Sequence, residues 1–168
     1  MERKRYLYAS GKRVVLEPDR EHVVVDLDRA RVGGMTDGTA AALSEGTSMP
    51  GGLVLSPRSS LSPAALKALT VAGALRAAYR RGAVIAVPMP EVRIEVDDPE
   101  QHAAALAAIE LSNIKVELVS SDEDLIVVRP RSGTGEDALD LAAFVHEHAH
   151  PAVAAPRMLQ VTPRPGLR

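Results

Sequence analysis

The chain has no cysteine and no tryptophan, and among its 168 residues only Tyr6, Tyr8, Tyr79 and Phe144 are aromatic. Without cysteine there is neither a disulfide framework nor a thiol nucleophile, though the compartment is left open on that ground. With so few rings, a core has to be packed from Val, Leu, Ile and Ala through many small contacts. No excess of charge is present either: 20 basic residues face 22 acidic ones, and the only basic run is Arg3-Lys4-Arg5. The electrostatic footprint of a nucleic-acid binder is therefore missing. No stretch of about eighteen apolar residues occurs, and Met1–Arg5 leads into Tyr-Leu-Tyr-Ala-Ser-Gly, not into an apolar signal region. The expectation is a chain with no membrane partner, cytoplasmic or secreted as part of a longer precursor. A hydrophobic content of 46% is enough for one ordinary domain or two small ones.

Short β-branched runs punctuated by Gly, Pro and Asp open the chain. Tyr6–Tyr8, a turn at Ser10-Gly11, Arg13–Leu16, a turn at Pro18-Asp19 and His22–Leu27 predict a β-hairpin followed by a further strand. Residues 33–62 are rich in Gly, Ser, Thr and Pro; they predict a short helix near 38–45, a strand at Leu53–Leu55, and mobile loop for much of the remainder. Ser62-Pro63 has the form of an N-cap with proline in the first turn, opening a helix through Ala64–Leu69.

The second half has a clearer period. Val92, Ile94 and Val96 alternate with Glu91, Arg93 and Glu95, which predicts a strand with one buried face. Asp98-Pro99 caps a helix to about Leu111, with Leu106 and Ile109 on its apolar stripe. Ile114, Val116 and Leu118 form the next strand, residues 120–124 a turn, and Leu125–Val128 a third strand. Thr134 or Gly135 opens a second helix with Leu139, Leu141, Ala142 and Val145 inward, and Val153–Val161 closes the unit. The order β-α-β-β-α-β is the split βαβ, ferredoxin-like plan of an α+β protein: one antiparallel sheet with two helices. A weak internal repeat accompanies it, Arg20–Asp28 resembling Pro90–Asp98 and Leu69–Arg76 resembling Pro151–Met158 in pattern. The expected division is 1–83, a hairpin-containing and degenerate copy with a flexible 33–62 segment; 84–162, the ferredoxin-like unit; and a tail, 163–168.

Four segments together carry a family resemblance: Tyr8-Ala9-Ser10-Gly11 through Asp19, Leu75-Arg76 with Tyr79-Arg80-Arg81-Gly82, Val87–Val96, and His150–Val161. This layout resembles the N-terminal prodomain of bacterial subtilisin-like serine proteases, over most of the chain. Met89 and Pro90 stand where that family usually has Thr-Gly, and Ala154, Ala155 and Arg157 stand in place of Glu, Tyr and Glu. The resemblance implies a non-enzymatic inhibitor, chaperone or sequestering partner of a subtilisin-like protease, acting in cis or in trans. It implies a sheet packed on the protease and a C-terminal tail, Arg157, Met158, Leu159, Gln160, Val161 and Thr162, threaded through the active-site cleft. Prolines 156, 163 and 165 would stiffen that tail and lower its ordering cost.

Other chemistry is weaker. His146, His148 and His150 have spacings that could serve zinc or nickel, yet they fall in the last turn of a helix, where His complements the carbonyl dipole. Asp122, Glu123 and Asp124 lack the spacing and glycine of a calcium loop, and no glycine pair has a phosphate-loop form. Asp97, Asp98 and Glu100 sit where acids cap a helix. No cofactor or metal is expected. Single-stranded RNA binding on this plan needs aromatic rings on the central strands, and 92–96 and 125–129 have none. The alternative from another class is a structural domain pairing with itself, as a homodimer, or with another chain through a sheet edge or face.

Overall fold

The structure is a computed structural model, and residues 3–164 are described. It is α+β, with five α-helices and antiparallel strand pairs among the described residues. The chain divides into two compact units. The first comprises the residues up to Glu17 together with Pro88–Leu159; the second comprises Pro18–Val87 together with the residues from Gln160. No helix among the described residues is long and apolar enough to cross a membrane.

The first unit opens with β1 (Tyr6–Ala9) and β2 (Lys12–Val15), an antiparallel pair that forms a two-stranded sheet of its own. Ser10 and Gly11 both have positive φ, 49° and 74°. That is the backbone of a tight two-residue hairpin turn whose twist matches the flanking strands. β3 (Glu17–Pro18) then lies at the boundary between the units.

In the second unit β4 (His22–Asp26) runs into α1 (Leu27–Val32), α2 (Asp37–Ser44), β5 (Thr47–Met49), β6 (Leu53–Pro57), α3 (Pro63–Val71) and β7 (Leu75–Arg76). The sheet order is β5-β6-β4-β7, with all neighbours antiparallel. Its core is Val23, Val25, Ala30, Leu43, Leu61, Leu69 and Ala74. Asp26 caps α1 by accepting from the amides of Asp28 and Arg29 at 3.1 and 3.2 Å, and Ser62 caps α3 through the amide of Ala65. In residues 33–62 the helix and strand expected near 38–45 and at Leu53–Leu55 are α2 and β6, and β5 lies between them where loop was expected; Leu43, Met49 and Leu53–Leu55 are buried. β8 (Tyr79–Arg81) pairs antiparallel with the opening residues of β9 (Val84–Glu95), Tyr79 opposite Ala86.

The rest of β9 belongs to the first unit and is followed there by α4 (Pro99–Leu111), β10 (Val116–Ser121), β11 (Leu125–Pro130), α5 (Gly135–Ala149) and β12 (Val153–Val161). β10 pairs with β11, β11 with β9, and β12 with β9. Numbered within the unit, the strands therefore lie in the order second, third, first, fourth, the same order as β5-β6-β4-β7. The two helices pack on each other and on one sheet face, enclosing Val92, Ile94, Val96, Ala105, Ile109, Ile126, Val128, Leu141 and Val145. Full burial of each Ile or Leu here stabilises by about 1.5–3 kcal/mol. Leu139, Leu141, Ala142 and Val145 all point inward, as their spacing predicts.

Strand β10 carries an irregularity. Leu118 lies opposite Val128 while Ser120 lies opposite Val127, so Val119 is an extra residue bulged from the ladder. The sheet order ends at this strand, and Leu118 and Val119 are exposed. A bulge on an edge bends it away from regular pairing with another chain.

At the start of α4, Asp98 accepts from the amide of Gln101 at 2.8 Å, satisfying one of the helix's otherwise unpaired donors. Asp98→Ala should lower stability by about 1 kcal/mol. A urea midpoint followed by circular dichroism checks this; an unmoved midpoint would mean the cap contributes nothing.

Candidate functional site

Two surfaces and one side-chain cluster are candidate sites. Arg157–Val161 form the second half of β12 and so lie in a strand that pairs with β9, and Thr162 lies just beyond its end. Arg157, Gln160 and Thr162 are exposed, while Met158, Leu159 and Val161 are half-buried. Arg157, Met158 and Leu159 count with the first unit, and Gln160, Val161 and Thr162 with the second. Of the tail expected at 163–168, residues from 165 onward, Pro165 included, lie outside the described residues.

The sheet face opposite the helices is charged. Successive strand residues point to opposite faces, so burying Val92, Ile94 and Val96 turns Glu91, Arg93 and Glu95 the other way. Arg93 Nε meets Glu95 Oε1 at 3.1 Å, and Arg129 Nη2 meets Glu91 Oε2 at 3.0 Å. A partner seated on this face would meet paired charges of both signs together with Leu125 and Val127, which lie opposite Glu95 and Arg93 and are half-buried.

The cluster lies where the hairpin meets α5. Tyr6 and Tyr8, two residues apart on β1 and hence on one face, both donate their hydroxyls to Glu147 Oε1, at 2.6 and 3.0 Å. The Tyr8 ring stacks on His146 with centroids 3.8 Å apart. Arg13 from β2 lies over the Tyr6 ring at 3.7 Å, and Arg5 pairs with Asp140 at 3.3 Å. On the helix, Phe144 stacks on His148, whose Nδ1 donates to the carbonyl of Phe144 at 2.9 Å. His146 and His150 meet edge to face at 6.4 Å. Three of the chain's four aromatic residues and three of its five histidines therefore gather in one place.

These contacts set the ionisation of the group. The Tyr6 hydroxyl, and to a lesser degree that of Tyr8, hold the Glu147 carboxyl below its ordinary value against the opposing effect of burial. Conversely, the hydrogen bond to Glu147 raises Tyr6, and loss of solvent followed by the same hydrogen bond raises Tyr8. Burial first, and the neighbouring His150 second, lower His146.

The histidines considered above for a metal are thus engaged with rings and a carbonyl, and no group of three or more His, Cys, Asp or Glu among the described residues is arranged to hold an ion. Around the acidic turn, Asp98 is occupied as the α4 cap, and His102 Nε2 lies 3.0 Å from Ser121 Oγ. The hairpin cluster is not among the sites expected from the sequence. Its one available signal was a pair of tyrosines two apart on a strand, in a chain with three tyrosines. No protein-family model matches the chain, and no curated protein matches it significantly.

Proposed function

We propose that the chain is a non-catalytic binding module of the kind that folds and inhibits subtilisin-like proteases. In this reading residues 88–161 are a ferredoxin-like unit and residues 20–76 a degenerate copy of the same plan. The observation that supports it most is the strand order, second-third-first-fourth in both units, with the last strand, β12, running out through the segment that resembles the prodomain tail. Arg157–Val161 are already extended as part of β12, so docking in a cleft requires little further ordering of that segment. An extended chain in a cleft gains main-chain hydrogen bonds to a strand edge. Full insertion requires the end of β12 to leave β9; otherwise only the residues from Thr162 onward enter the cleft.

Mixing the purified chain with a subtilisin-type protease tests the reading. Peptidase activity should fall stoichiometrically, with a complex on gel filtration. A chain ending at Val161, which keeps β12 whole, should inhibit at least tenfold less well if residues beyond the strand fill the cleft. Unchanged peptidase activity without a complex would remove the inhibitor reading. Concentration-dependent dimers under the same conditions would instead favour self-association through a sheet edge or face.

A further inference from the structure

A two-stranded hairpin has little stability of its own in water, and β1–β2 forms a sheet that no third strand joins among the described residues. Its order therefore depends on what its side chains meet on α5. Polar and titratable groups are prominent among those contacts: the two tyrosine hydroxyls on Glu147, the Tyr8–His146 stack, and Arg3 and Arg5 on Asp140. We propose that the N-terminal hairpin is an acid-released clasp on α5, closed while His146 is neutral and Glu147 ionised, and opened as His146 takes up a proton.

The charges around His146 make the case. On its own helix, Glu147 favours an imidazolium, whereas His150 opposes one. From the hairpin come the uncharged ring of Tyr8, stacked on it, and Arg13, a fixed cation beside Tyr6 in the same cluster. His148 is turned to Phe144. Burial in this arrangement favours the neutral ring. The attraction of a cation for the Tyr8 face acts the other way, so the sign of the measured pH dependence is decisive.

The share of that burial supplied by the stacked Tyr8 ring exists only in the closed clasp, whereas His150 acts in both states; the contribution of His146 to closure is therefore complete above the ordinary imidazole value of about 6.5 and is lost as pH falls toward the lowered one. Glu147, also lowered, contributes fully above the ordinary carboxylate value of about 4.3, and its contribution is lost only as pH falls through its own lowered value. Between pH 7.5 and 5 the imidazole therefore governs.

Amide hydrogen exchange on the full chain reads the clasp directly. Protection factors, which remove the intrinsic pH dependence of exchange, are compared for Tyr6–Ala9 and Lys12–Val15, with Ile126 and Val128 as internal reporters of the core. In the natural chain, hairpin protection should fall on acidification from pH 7.5 to 5, by at most about tenfold per pH unit for one proton, while core protection holds. His146→Phe keeps a stacking ring that cannot titrate, and its hairpin protection should stay flat. Glu147→Ala should lower hairpin protection about tenfold at every pH. Flat or rising protection in the natural chain on acidification would overturn the proposal, as would an undiminished fall in His146→Phe.

Discussion

Gly135→Ala should destabilise the first unit by about 3 kcal/mol, because the site has no room for a single methyl. Gly135 is the first residue of α5 and is buried. A Cβ built on it would overlap the carbonyl oxygen of Pro88 and come within 2.9 Å of that carbonyl's carbon and of the proline ring. Both neighbours are constrained, one as strand backbone and the other as a ring with fixed φ, so neither can move aside as a flexible side chain would. The helix start has to shift, and with it the packing of Leu141 and Val145 in the cluster that holds Ile94 and Ile126. A lowered urea midpoint with reduced amide protection at Ile94 and Ile126 is the expected result. Unchanged protection at those two residues would show that α5 can move away from β9 at little cost.

A comparable loss is expected in the second unit from Asp26→Ala. This carboxylate is 8% exposed, caps α1 through two amides, and accepts from Arg76 Nη2 at 2.7 Å. Burial alone would raise its pKa, but the Arg29 amide, the Arg76 hydrogen bond and the charges of Arg76 and Arg29 together outweigh burial and lower it. Removing it takes away a cap and the carboxylate partner of a guanidinium whose side chain is only 15% exposed. The two effects together should cost about 3 kcal/mol. Asp26→Asn keeps an oxygen for the cap while deleting the charge, and should lose about half as much. Amide protection at Val24 and Val25, set against Ile94 and Ile126, reads the effect in the unit where it arises; equal losses in both sets would show that the two units unfold as one. The carboxylate's contribution is complete above its unfolded value of about 3.9 and is lost as pH falls through the lowered folded value. The gap between the natural chain and Asp26→Asn should therefore close in strong acid.

Local chemistry made much of this fold legible. Ser62, Asp98 and Thr134 cap the helices their sequence predicts, and Val153–Val161 is the strand expected there. The period-two run at 92–96 marks the buried face of β9, but the strand begins at Val84, eight residues earlier. There Ile85–Pro88 are buried without alternation, and Pro88 and Pro90 depress strand propensity. Strand β10 starts at Val116 where Ile114 was expected and continues to Ser121, because the bulge at Val119 breaks the alternation on which the expectation rested. In residues 33–62, burial supplied by β4 and α3 overrides a loop-like composition. Least legible was the cluster on α5: Tyr6 and Tyr8 meet Glu147 across 141 and 139 residues, and no local signal reports a contact of that range.

The scarcity of rings decides what light can report about this protein. With no tryptophan, its near-ultraviolet signal comes almost wholly from three phenols. Tyr6 and Tyr8 sit in the hairpin against α5, and Tyr79 is buried in β8. An absorbance or fluorescence trace would therefore follow the clasp and one strand of the second unit. The aliphatic interior built from Ile94, Ile126 and Leu141 contains no tyrosine or tryptophan, and in the near ultraviolet it is seen only through the two phenols docked on α5.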